Sequence, residues 1–210
     1  LDVTKDRQYT AKTDGLARHS TQTALYHVLE ALVRWLAPII SYTADEIWSY
    51  MPGKRGESVF LVTWYQGLVV LDNQSAMNRG FWQQIMAIRS AVSKELEKSR
   101  AKGDIGSSLN AEVELYCNDG YFALLNKLEN ELHFVLITSD ASVMADQFSP
   151  DDAIQTEIDG VKLKVIVSGH PKCVRCWHQH YDVGEHKEHP ELCGRCIENV
   201  DSAGEHRRYA

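Results

Sequence analysis

Two Cys-x-x-Cys pairs, Cys173-Val174-Arg175-Cys176 and Cys193-Gly194-Arg195-Cys196, stand sixteen residues apart in this 210-residue chain. This is a spacing that reads as a zinc site. Two residues between cysteines let both sulfurs converge on one ion at about 2.3 Å, and two such turns complete a tetrahedron. The chain between them is then a closed loop. A redox role accounts for one Cys-x-x-Cys but not for a second at this distance, and a pair of disulfides suits a secreted chain. Cys173, Cys176, Cys193 and Cys196 are therefore the expected ligands of one structural Zn2+. Four thiolates fill the shell, which leaves no open position for catalysis. His178, His180, His186 and His189 offer a different set of three cysteines and one histidine, but the cysteines already match the spacing.

With 44% hydrophobic residues the chain can bury a core, and no apolar run approaches the ~20 residues that span a bilayer. No membrane partner is expected, and a cytoplasmic location would keep the thiolates reduced. Cys117 lies in an alternating apolar run and reads as a small buried hydrophobe. Leu1 stands in a stretch that reads as the middle of something, so the chain is expected to be part of a longer protein. The net charge of −7 argues against a non-specific nucleic-acid binder. Any contact with phosphate must then come from a local basic face. The one candidate runs from Arg79 to Lys102, with six basic and two acidic residues, and includes Lys94, Lys98, Arg100 and Lys102. A solvated helix surface is the competing reading of that face.

Apolar residues recur at helical spacing from Leu16 to Ala37, with Leu25, Val28, Leu29, Leu32, Val33 and Leu36 on one side. Pro38 ends that helix. Thr43-Ala44-Asp45-Glu46 has the form of a capping box for a second helix, stopped by Pro52-Gly53. Trp35 and Trp48 are expected to pack between helices, and His19 and His27 to sit at the surface or core edge. Val59 to Trp64 reads as extended, and Asp72–Ser75 as a polar link. Phe81, Ile85, Ile88, Val92 and Leu96 then form one narrow helical stripe. Val113, Leu115 and Cys117 alternate as a strand, Tyr121–Leu132 reads as a short helix, and Phe134–Ile137 as a buried strand. Ile158-Asp159-Gly160-Val161 is a tight hairpin turn between a strand through Ile154–Ile158 and one carrying Val161, Leu163 and Val165.

Several segments carry a resemblance. Asp6-Arg7-Gln8-Tyr9-Thr10, Gln22-Thr23-Ala24-Leu25-Tyr26, and Leu36-Ala37-Pro38-Ile39-Ile40 through Trp48 look like the anticodon-binding helical bundle of class I aminoacyl-tRNA synthetases, above all the bacterial isoleucyl branch. Ile105-Gly106-Ser107-Ser108-Leu109 running into Ala111-Glu112-Val113-Glu114-Leu115 is similar to the same branch. The tail, Lys172 to His178 and Leu192 to Cys196, resembles its zinc module, which formamidopyrimidine-DNA glycosylases share. The fold this implies is mainly α with a small α/β part. A helical anticodon-binding domain would occupy 1–72, an α/β junction domain 73–168 and a four-cysteine zinc module 169–210. The implied partners are isoleucine tRNA and the catalytic and editing domains of the same polypeptide, in a monomer. ATP would be used only in a catalytic domain, since neither the His-x-Gly-His nor the Lys-Met-Ser-Lys-Ser signature occurs here. This chain is then not expected to catalyse by itself.

In the tail, Arg175, Trp177, Arg207 and Arg208 are the candidates for RNA contact, by forked donors to phosphate and by stacking of a base on the indole. Trp177 has a competing role as a cover for the zinc site, and the arginines as counter-charge to it. The rival readings of the whole are the zinc-finger region of a DNA-repair glycosylase and a non-catalytic interaction module. The helical segments and the lack of an N-terminal Pro-Glu speak against the glycosylase.

Overall fold

The computed structural model describes residues 1–210 as two compact units, 19–71 and 1–18 with 72–210. The chain is mainly helical with one small sheet.

In the unit 19–71, α2 (Leu16–Leu36) is followed by a turn at Pro38 and by α3 (Ser41–Tyr50). The second helix starts three residues earlier than the capping box, with Thr43 as its cap, predicts. The Ile40 carbonyl accepts from Ala44 N at 2.9 Å, so Thr43 is already helical. Asp45 turns instead to the following loop, accepting from Ser58 Oγ at 2.6 Å and from Val59 N at 3.0 Å. That loop contains a 3-10 turn at Val59–Leu61 where an extended run was expected. The α2 stripe also differs from expectation. Of the expected face only Val33 is buried, packed with Ala37 against Ala44, Trp48 and Val59, while Val28, Leu29, Leu32 and Leu36 stay 37–45% exposed. Helix α2 is apolar around more than one side.

In the unit built from 1–18 and 72–210, α1 (Asp2–Thr10) is followed, after the return of the chain at Asp72, by α4 (Arg79–Lys102). Asn78 caps α4 by accepting from Phe81 N, and Gly103 ends it with φ +85°, a left-handed turn that costs glycine little. All five residues of the α4 stripe are buried, against Leu115, Val135 and Leu163. Strands β1 (Ala111–Cys117), β2 (Asp140–Ala145), β3 (Ile154–Gln155) and β4 (Val161–Val167) form a sheet of order β2-β1-β4-β3. β1 runs parallel to β2 and antiparallel to β4, with Leu115 opposite Val143 and Leu163. The β-α-β crossover is α5 (Asp119–Leu125), a 3-10 stretch, and α6 (Leu132–Leu136). Phe134–Leu136 are buried as expected but helical, and the strand follows six residues later. A short apolar run has the same appearance in either state, because it is buried on all sides. Cys117 is buried, and this pushes its thiol up to about 11.

Replacing Ile88, which is fully buried in α4, by alanine is expected to cost about 2–5 kcal/mol. A lowered denaturant midpoint at unchanged slope would show it.

Candidate metal centre and nucleic-acid interface

The first Cys-x-x-Cys is the turn of a tight hairpin. Cys173 N donates to the His178 carbonyl and Trp177 N to the Cys173 carbonyl, both at 2.9 Å, and Lys172 bridges Gln179. Closing that turn holds Trp177 at φ +68°, a left-handed conformation that side chains seldom adopt. The second pair opens α7 (Gly194–Asp201), with Cys193 at its cap. Asp182 receives Gly194 N at 2.8 Å and also holds His180, so the loop is tied to the start of the helix. The four sulfurs lie within 4.8 Å of one another and all four residues are buried. None forms a disulfide.

This donor set fits a tetrahedral ion. Cys193 N donates to Cys173 Sγ at 3.4 Å, a backbone amide spreading thiolate charge. No histidine joins the cluster. His180 and His189 are bound to Asp182 and Asp201, each at 2.5 Å. His178 is buried edge-to-face against Phe134.

The candidate RNA contacts divide sharply. Arg207 is buried, with its guanidinium 3.5 Å from the Phe134 ring centroid and paired with Asp6. It is a core group, so its expected place at an RNA surface does not hold in this fold. Arg175 donates to the Thr10 carbonyl at 2.5 Å and lies 3.8 Å from Cys196 Sγ. Arg195, the matching residue of the second knuckle, forks onto Asp6 at 2.7 and 3.1 Å. Burial alone would raise the Asp6 carboxyl, but Arg195 and Arg207 outweigh it and hold it down to about 2. Arg208 stays exposed, 3.5 Å from Glu129, and Trp177 is 60% exposed with Lys172 Nζ 5.2 Å over its ring. On α4 the cations face solvent, but Lys94 is paired with Glu157, Lys98 with Glu95 and Arg100 with Glu97. Exposed pairs of this kind contribute only about 0–1 kcal/mol and exchange readily for phosphate.

A cleft of about 520 Å³ separates α1 from the first knuckle, with Val3, Tyr9, Leu109, Phe134 and Trp177 among its walls. Asp6 and Glu131 were not singled out for any role by the sequence. Asp6 collects the tail arginines, and Glu131 accepts from the backbone amides of Arg208, Tyr209 and Ala210 at 2.6–2.8 Å. No local signal marks either residue, since each finds its partners more than 75 residues away.

Residues 171–199 match the zinc finger found in FPG and IleRS. Together with the four-sulfur cluster, this supports one structural zinc. The chain is 58% identical over its whole length to an isoleucine–tRNA ligase of Methylococcus capsulatus. It is 56% identical to that of Pseudomonas entomophila and 55% to that of Nitrosococcus oceani, again over its whole length. The chain spans 22% of the length of each of these relatives. Residues 1–115, more than half of the chain, match the anticodon-binding domain of tRNA ligases, and the chain belongs to that family.

Proposed function

We propose that this chain is the tRNA-binding C-terminal region of an isoleucine–tRNA ligase and that it recognises the anticodon stem-loop of isoleucine tRNA. The parent enzyme would attach isoleucine at the expense of ATP in its other domains. The chain would act as one part of a monomeric cytoplasmic polypeptide, with 1–72 as anticodon-binding segment, 73–168 as junction and 169–210 as zinc module. Cys173, Cys176, Cys193 and Cys196 are the zinc ligands on this reading. Their role is to hold shape, since four sulfurs leave the ion no open position.

The observation that carries the RNA reading is Trp177. An indole held outward by a left-handed backbone beside a buried, closed metal site suits an unstacked base, as single-stranded RNA loops offer. Stacking of that kind is worth about 1–3 kcal/mol. Arg208 and the α4 row of Lys94, Lys98, Arg100 and Lys102 are the accessible cations for phosphate. Arg175 and Arg207 act from inside, by holding α1. The glycosylase reading is not favoured, because the anticodon-binding match spans the helical half of the chain.

Filter or anisotropy titration with isoleucine tRNA tests the proposal. The chain is expected to prefer it over the same tRNA with a changed anticodon. Trp177→Ala is expected to weaken binding about 5- to 100-fold, the equivalent of that stacking energy. Equal weak binding to both tRNAs, or a preference for duplex DNA, would sink it.

A further inference from the structure

The two zinc knuckles each send one arginine to the same helix. Arg175, third residue of the first, donates to the Thr10 carbonyl at the end of α1. Arg195, third residue of the second, makes a forked pair with Asp6 in the middle of it. Arg207 closes on Asp6 from the far end of the tail, and Lys12 N donates to Asn199 Oδ1 of α7 at 2.9 Å. These partners are 165 to 201 residues apart in sequence. Helix α1 is otherwise held by Arg7, which donates to the Ala210 carbonyl and lies 3.7 Å from Glu131, and by Val3, packed on the main core. It is nine residues long, and its buried residues are Arg7 and Thr10, neither of them apolar. A helix that short is marginal by itself and takes its stability from what it packs on.

We infer that Asp6 is a positioning residue that joins α1 to the zinc knuckles, so that Tyr9 and Trp177 are set across their shared cleft only while the knuckles hold zinc. The functional half of this rests on the RNA reading of Trp177. Its structural half stands on the arginine geometry alone. Zinc orients Arg175 and Arg195 because each lies between two ligands of its own turn. Asp6 receives one of them at two oxygens, the bidentate match for a guanidinium. The consequence is that metal bound between residues 173 and 196 controls order at residues 2–10.

Amide hydrogen exchange on the zinc-loaded chain tests this, with three comparisons: Asp6→Asn, Asp6→Glu, and wild type treated with a zinc chelator. In Asp6→Asn, residues 2–10 are expected to exchange at least tenfold faster while the chain keeps one zinc and β1 keeps its protection. Chelation is expected to accelerate the same residues, and Asp6→Glu to recover most of the protection. Titration with isoleucine tRNA should show several-fold weaker binding for Asp6→Asn. Unchanged exchange over 2–10 in both Asp6→Asn and the chelated chain overturns the inference. So does equal loss of protection in β1, which would make Asp6 a residue of the general fold. A wild-type chain that binds no tRNA would defeat the RNA reading, while the exchange data would still decide the coupling of α1 to zinc.

Discussion

Replacing Cys173 or Cys196 by serine is expected to leave the chain with almost no bound zinc and to make 169–210 the first segment cut in limited proteolysis. The expected effect is large because the zinc module has so small an apolar core of its own. Its buried apolar cluster is the four cysteines, with only Val183 and Leu192 packed against it. Structural zinc in small modules contributes an apparent ~10–16 kcal/mol at neutral pH, and without it such modules are unfolded. A serine in the set removes one thiolate and leaves the others unable to complete the shell. The unit 19–71 draws on a separate cluster around Trp48 and should keep its helices. Metal analysis beside proteolysis reads both halves of the result. Undiminished zinc in either variant would show that the ligand set is wrong.

The second large effect is expected at Glu30, at the centre of a buried charge cluster in that unit. Its carboxylate is 4% exposed and pairs with Arg34 at 2.5 Å and with Arg55. The two guanidiniums lie over the Trp48 ring at 4.8 and 4.7 Å from its centroid, and the indole donates to the Gly56 carbonyl at 2.9 Å. Removing the anion would leave two cations facing one ring with no counter-charge. Breaking a buried pair in this way costs about 3–5 kcal/mol, enough to unfold a unit with a small core. Glu30→Ala is therefore expected to abolish the cooperative melting of 19–71, whereas Glu30→Gln, which keeps hydrogen bonds, should retain part of it.

The same group sets a pH dependence. Burial by itself would raise the Glu30 carboxyl, but bonds from Arg55, Tyr26 and Arg34 prevail and lower it from the ordinary 4.5 to about 2. A carboxyl depressed in the folded state contributes stability above its unfolded value. Here that is about 3 kcal/mol, lost as pH falls from about 4.5 toward 2. Thermal melts of wild type and Glu30→Gln should differ most near pH 7 and converge toward pH 2. A gap that stays constant over that range would rule out Glu30 as the source.

Neither the charge cluster nor the hold on α1 was legible beforehand, and the cause is the same for both. Glu30 and Arg34 stand at the i,i+4 spacing of a helical ion pair, but nothing local marks that pair as buried or as joined by Arg55, which looks like any other loop cation. Arg207 read as an end-of-chain cation free for phosphate, yet it is stacked on Phe134 and bound to Asp6. Charged residues are solvated unless a partner is brought to them, and the partner of Arg207 lies 201 positions upstream. The α2 stripe failed differently. Its periodicity was right, but periodicity names a face without saying what covers it, and in this unit only Val33 of that face is buried, beside Ala37.

What the sequence by itself determined are the features that local geometry dictates. The doubled Cys-x-x-Cys implied four sulfurs round one ion, and the structure gathers them within 4.8 Å. The α4 stripe, the alternation of β1 and the Gly160 hairpin follow from the periods of helix and strand and from turn chemistry, each within a few residues. Only the tertiary structure decided that Phe134–Leu136 are helical, that Lys94, Lys98 and Arg100 of the four candidate cations on α4 carry carboxylate partners, and that the zinc knuckles grip α1. Such outcomes depend on desolvation and on partners supplied by distant parts of the chain, which no local pattern encodes.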